Sequence, residues 1–213
     1  MAKLTLTELQ IELARRLKQV ISSTDTSTLN SAIARSVRTI DSLASYTFLQ
    51  KITSGTIISG LDNINAPNDL NLNKEIKMYL TNAMIMIHYV PYTELKKYEK
   101  LFNNIPSAFA YYYDQSSPKF YFSQPASTNI PYYLYYSKIM TVPSASAYAE
   151  IPEPWYDIII DVAEYQQKYL YGLAFSDEAK LNVIDRLKNF VREYNASQGA
   201  VININDEIIR KGG

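Results

Sequence analysis

Pro131-Tyr132-Tyr133-Leu134-Tyr135-Tyr136-Ser137-Lys138 is the most informative segment of the chain. Aromatic residues suit a pleated strand, and a proline inside a sheet is confined to a strand's first residue, an edge or a bulge. Tyr133, Tyr135 and Ser137 alternate with Leu134 and Tyr136, so bulky groups stand on both faces. Such a strand belongs to a sheet covered on both sides. Helices are expected on one side and a partner chain on the other. Tyr111 to Tyr113 and Lys119 to Ser123 share this character, and Pro118, Pro125 and Pro131 separate the segments. The three together read as an antiparallel β-meander.

Helical periodicities bound this region on both sides. Thr5-Leu6-Thr7-Glu8 fits a capping box, and Leu6, Leu9, Leu13, Leu17 and Val20 then recur at helical steps. After a polar stretch from Ser22 to Thr28, a second stripe runs through Leu29, Ile33, Val37, Ile40 and Leu43. Downstream, Pro152-Glu153-Pro154-Trp155 opens a long helix whose buried face carries Ile158, Ile159, Val162, Tyr165 and Tyr169. Ser176-Asp177-Glu178 caps a last helix carrying Leu181, Ile184, Leu187, Val191 and Tyr194.

The expected fold class is α+β: a helical bundle with an inserted antiparallel β region. The helices fall at about 5–21, 28–44, 154–172 and 177–195, and the insertion at about 46–150. Inside the insertion, Tyr46 to Ile58 has strand character with a turn at Ser54-Gly55, and Glu75 to Tyr79 and Met84 to Tyr89 read as short strands. Thr93 to Phe102 reads as a short polar helix. One domain is expected over 1–199, followed by an extended arm over 200–213.

Composition removes several function classes. The 213 residues carry 21 Lys and Arg against 21 Asp and Glu, where a chain built to grip phosphates has a basic excess. There is no cysteine, which excludes disulfides, thiol catalysis and cysteine zinc sites. His88 is the one histidine, too few for a catalytic triad or a histidine metal cluster. The six glycines form no phosphate-cradling loop. No signal peptide is expected from Met1-Ala2-Lys3-Leu4-Thr5, and no membrane span, since the apolar run from Ala83 to Val90 is short and holds His88. Of 19 tyrosines, 13 fall between Tyr111 and Tyr171, and tyrosine clusters suit protein interfaces.

Three groups of side chains remain. Asp157, Asp161 and Glu164 stand at i, i+4 and i+7 on one helical face, where paired carboxylates can do acid–base work or hold a divalent ion. Acids near a helix N-terminus are also simply favoured by the macrodipole, so no catalytic residue, metal or cofactor is assigned. Asp62, Asn63, Asn65, Asn68 and Asp69 lack the closing Glu of an EF-hand and read as a polar loop. Lys96, Lys97 and Lys100 interleave with Glu94 and Glu99 in a mixed-charge face. The third group is the tail. Val201, Ile202, Ile204, Ile208 and Ile209 are too apolar and β-branched for a freely solvated end, and an arm docking on a partner subunit is expected.

The order of features carries a resemblance. Thr7-Glu8-Leu9 in a first helix is followed by Tyr46-Thr47-Phe48-Leu49 and Pro67-Asn68-Asp69. Phe120-Tyr121-Phe122-Ser123-Gln124-Pro125 comes next, then Tyr135-Tyr136-Ser137-Lys138, then Ile151-Pro152-Glu153-Pro154-Trp155-Tyr156 at a helix start. From about Leu4 to Gly172 this succession resembles the head-to-tail adaptor proteins of podovirus-like tailed bacteriophages. The resemblance implies a non-enzymatic virion subunit of the neck, made in the host cytoplasm. Twelve copies would close a ring that binds the portal protein and tail or further ring proteins. DNA would pass through the bore without sequence-specific binding.

Ring closure needs two different faces per subunit. The candidates are the sheet bearing Tyr133 and Tyr135, and the Asp157, Asp161 and Glu164 face meeting Lys180, Arg186, Lys188 and Arg192 of a neighbour, with the tail as a third contact. A soluble carbohydrate- or peptide-binding module using the tyrosine sheet is the alternative, and a metal-dependent enzyme built on Asp157 and Asp161 a weaker one.

Overall fold

The computed structural model describes residues 5–18, 23–81, 84–98, 105–112, 118–145, 147–152, 155–172, 174, 176–196, 204 and 209–210. The chain divides into two compact units, one made of Met1–Leu49 with Met140–Gly213, the other of Gln50–Ile139.

The first unit is helical: α1 (Leu6–Arg16), α2 (Ser23–Leu43), α3 (Asp157–Leu170) and α4 (Asp177–Tyr194). The capping box forms at α1, where Thr5 Oγ1 accepts from the Glu8 N–H at 3.2 Å and the Glu8 carboxylate accepts from the Thr5 N–H at 2.7 Å. Leu9 and Leu13, the α2 stripe Leu29, Ile33, Val37 and Ile40, and Leu187, Phe190 and Val191 of α4 share one core. On α3, Ile158, Ile159, Ile160, Val162, Ala163 and Tyr165 are all buried. A helix apolar on more than one side sits among its neighbours rather than on a surface.

Tyr46 seals one end of this core. Its hydroxyl donates to the Ile40 carbonyl at 2.6 Å, closing the end of α2, and its ring lies 5.3 Å from Phe48 and 5.2 Å from Phe190. Burial, with a smaller contribution from Asp41, pushes the phenol well above its ordinary pKa. Trp155 and Tyr194 extend the cluster at 5.7 and 5.4 Å from Phe190.

The second unit is a seven-stranded sheet. Its strands are β1 (Gln50–Ile57), β2 (Asn63–Asn65), β3 (Lys77–Leu80), β4 (Ile85–Tyr89), β5 (Ala108–Tyr112), β6 (Lys119–Phe122) and β7 (Ile130–Ser137), in the order β1-β7-β3-β4-β5-β6-β2. The two ends of that order are consecutive in the chain. β1 pairs with β7 over its whole length, and β2 pairs with β6. The corner between them is stitched by Gly60 N–H to Ala126 O (2.7 Å), Ala126 N–H to Leu61 O (3.1 Å) and Phe122 N–H to Asp62 O (2.7 Å). Gly60 takes φ 82° there, a conformation that glycine adopts without steric cost. One bent segment therefore bridges both edges, and the sheet is nearly closed, like a barrel. Its inside is filled by Ile57, Met78, Leu80, Ile87, Phe109, Phe120, Phe122, Ile130, Tyr132, Leu134 and Tyr136.

This corrects the expected helical bundle with an inserted antiparallel β region. The protein is mixed α/β and richer in strand, and its sheet has its own core. Three local facts account for the difference. β1 runs straight through Ser54-Gly55, which is no turn. β7 pairs with β1 and β3 and not with β6, so the three aromatic segments are no meander. β4 and β5 are parallel, and the connection between them carries a 3-10 helix over Tyr92–Tyr98.

Gly55 is needed for packing, since it stands opposite Tyr132 and an added Cβ would lie 2.6 Å from the Tyr132 hydroxyl and 2.7 Å from its ring. Gly55→Ala should therefore lower unfolding free energy by about 1–3 kcal/mol, the usual range for overpacking. In a denaturant double-mutant cycle with Tyr132→Leu, the two changes should couple rather than add.

Candidate functional site

Side chains alternate along a strand, so the inward set Tyr132, Leu134 and Tyr136 puts Tyr133 and Tyr135 on the outer face of the sheet. The register extends that face across four strands. Ile52 of β1 stands opposite Tyr135, which stands opposite Lys77 of β3. One step along, Ser54 faces Tyr133, Tyr133 faces Tyr79, and Tyr79 faces Met86 of β4. The Tyr79 and Tyr135 rings meet edge to face at 5.4 Å. Ile52 is 63% exposed, Met86 41%, and Tyr133 and Tyr135 36% each.

Another part of the outer face is covered within the unit. Val90, Leu95, Ala108 and Ala110 form a small buried cluster, with Tyr98 and Tyr121 packed on it. The Tyr92–Tyr98 3-10 helix supplies that cover, and Tyr92 meets Tyr121 at 5.5 Å. Cover thus extends over β5 and β6 and stops at β4, leaving β1, β7, β3 and β4 with an open aromatic and apolar patch.

Asp69 braces the strand that bears the patch. It accepts from Lys51 Nζ at 2.5 Å and from the Tyr136 hydroxyl at 2.9 Å, and its carbonyl accepts from the Ile139 N–H at 2.8 Å. Burial opposes the Asp69 charge, but the bonds from Lys51 and Tyr136 outweigh it and hold the carboxyl below its ordinary pKa. Burial, and then this bond to Asp69, push the Tyr136 phenol up to about 12. Pro67-Asn68-Asp69, read in sequence as part of a polar loop, is thus an anchor for the end of β7.

The acidic residues of α3 behave differently. Asp157 is exposed in the first turn. Asp161 is buried and accepts from Arg16 Nη1 of α1 at 2.6 Å and from Arg186 Nη1 of α4. Arg16 also donates to Glu12 at 2.8 Å and lies 3.6 Å from Glu164, which pairs with Lys168 at 2.7 Å. Burial works against the Arg16 charge, yet its bonds to Glu12 and Asp161 raise its pKa above the ordinary value. Bonds from Arg15 and Arg16 hold the Glu12 carboxyl at about 2. Asp161, Glu164 and Arg186 therefore meet inside one chain and tie α1, α3 and α4 together. Arg192 is exposed on α4, and Lys180 and Lys188 pair with Asp177 and Asp185 of their own helix. Among the described residues, no group of three or more His, Asp or Glu could hold a metal ion.

Of the tail residues, Ile204 and Ile209 lie in the core of the helical unit, while Val201, Ile202 and Ile208 fall outside the described residues. Ile52, Tyr79 and Met86 were not singled out from sequence. They join Tyr133 and Tyr135 through pairing between distant segments, and no local pattern carries that register.

Removing the Asp161 charge takes away the buried carboxylate that joins Arg16 and Arg186. Asp161→Asn should cost about 3 kcal/mol of unfolding free energy, whereas Asp157→Asn should stay within about 0.5 kcal/mol. Urea denaturation of both variants checks the contrast.

No helix among the described residues is long and apolar enough to cross a membrane. A search of curated proteins finds no match. The family model described as SU10 adaptor protein matches residues 4–200, more than nine-tenths of the 213 residues. The chain belongs to that family, and is thereby a head-to-tail adaptor protein of a tailed phage, a component of the virion neck.

Proposed function

We propose that this adaptor works as one subunit of a closed connector ring that binds the portal on one side and tail or further ring proteins on the other. Twelve copies surround a bore through which the genome passes. Family membership supports the adaptor role. The observation that carries the ring is the open patch of Ile52, Met86, Tyr133 and Tyr135, joined by Tyr79, on the outer face of the sheet. Aromatic residues and methionine are enriched where proteins meet, and contiguous exposed apolar surface marks interaction sites. A ring contact is heterologous, so this patch would face a different surface of the next subunit. Equal numbers of acidic and basic residues suit a conduit, because a strongly basic bore would hold the DNA it must release.

The patch can be changed without touching a core. The triple variant Tyr133→Ser, Tyr135→Ser and Met86→Ser should keep the far-ultraviolet circular dichroism of the wild type. Mixed with the portal of the same phage and weighed by mass photometry, it should form ring-sized assemblies at least tenfold less readily. Wild-type assembly by the folded variant would remove the patch from the interface. A wild-type chain that stays monomeric with portal present, and binds a soluble glycan or peptide through these tyrosines, would replace the ring with a binding module.

A further inference from the structure

The chain end is recognised by α2 and α3. Ile204 and Ile209 enter the helical core at 2% and 0% exposure. The buried Gln166 side chain donates from Nε2 to Thr39 Oγ1 of α2 and to the main-chain carbonyl of Ile209, each at 2.9 Å. Arg210 lies over the Tyr169 ring at 4.5 Å, and its Nε donates to the Tyr165 hydroxyl at 3.3 Å. The main-chain carbonyl and the guanidinium are therefore each met by a specific partner, and the two aliphatic side chains lie in the common core. Among the described residues, Gln166 Oε1 is buried with no hydrogen-bond partner. A carboxamide can engage a peptide with both its donor and its acceptor, and here only the donor side is used.

We infer that α2 and α3 form a peptide-docking seat, filled in a free subunit by its own Ile204 and Ile209–Arg210, and filled in the assembled ring by the same segment of a second copy. This rests on the ring reading. A second copy is the occupant because the seat already holds that segment through its Ile209 carbonyl, its Arg210 guanidinium and its two buried isoleucines. The eight residue steps from Ala196 to Ile204 can span at most about 29 Å. Exchange of an identical element between protomers adds contacts without creating a new surface.

A fluorescent peptide of residues 200–213 tests the seat. The full-length chain carrying Ile204→Asp and Ile209→Asp, whose own segment is expelled, should bind the peptide at least tenfold more tightly than the wild type does. Adding Gln166→Met should abolish that gain. A folded variant that does not bind the peptide, or binds it equally well with Gln166→Met, overturns the seat.

Exchange is tested in the wild-type background, which has no cysteine of its own. Full-length Tyr169→Cys and Arg210→Cys chains are mixed, assembled with portal and treated with a short bismaleimide, while mass photometry counts rings. Cross-linked dimers are expected. Rings that form and yield no dimer, while the double-cysteine chain cross-links within itself, overturn exchange and leave the ring standing. Absence of rings overturns the ring reading and exchange with it, and the peptide measurement then decides the seat alone.

Discussion

A sheet that closes on itself has one interior, and everything else about the second unit follows from that constraint. The bent segment over 50–65 pairs with β7 at its start and β6 at its end, so the strands curl around a single core of aliphatic and aromatic side chains. Each strand then offers its alternate residues to the outside. Outer-facing polar residues need no cover, and on β5 and β6 the 3-10 helix covers the apolar ones. On β1, β7, β3 and β4 the apolar and aromatic outer residues are Ile52, Tyr133, Tyr135, Tyr79 and Met86, and among the described residues no such helix covers them. Closure thus turns a hydrophobic stretch of sequence outward as an exposed aromatic and apolar patch.

The helical unit solves a different problem. α3 is apolar around most of its circumference, so the carboxylate it carries at Asp161 is largely dry. Two arginines from different helices meet it, and Glu12 shares Arg16. A buried charge set of this kind adds little net stability compared with apolar packing, but breaking it is costly. Its effect is to fix which helix faces which, because any other arrangement of α1 and α4 strands a charge. Gln166, one turn further along α3, applies the same logic to the chain end with neutral groups.

Local chemistry was legible in the sequence where the interaction is local. Thr5 and Glu8 announce their capping box, and the Leu29, Ile33, Val37 and Ile40 stripe is buried as its spacing requires. Alternation within β7 correctly separated Tyr133 and Tyr135 from Leu134 and Tyr136. Pairing between distant segments was not legible. Gly55 looked like a turn because glycine usually breaks a strand, yet here it makes room for the Tyr132 ring across the ladder. Consecutive aromatic strands suggested a meander, whereas β7 inserts between β1 and β3. The acids of α3 looked like one face in sequence, and the structure separates exposed Asp157 from buried Asp161. Helical spacing says which residues share a side, not which neighbour that side meets.

Taken together, this head-to-tail adaptor keeps the apolar core of its sheet inside and an aromatic patch outside, and in the proposed ring other chains cover that patch. Hydroxyl-radical footprinting of the free chain and of the portal-bound assembly, read residue by residue by mass spectrometry, tests this most directly. Oxidation of Met86, Tyr133 and Tyr135 should fall several-fold on assembly. Assemblies in which all three oxidise as fast as in the free chain would contradict the account.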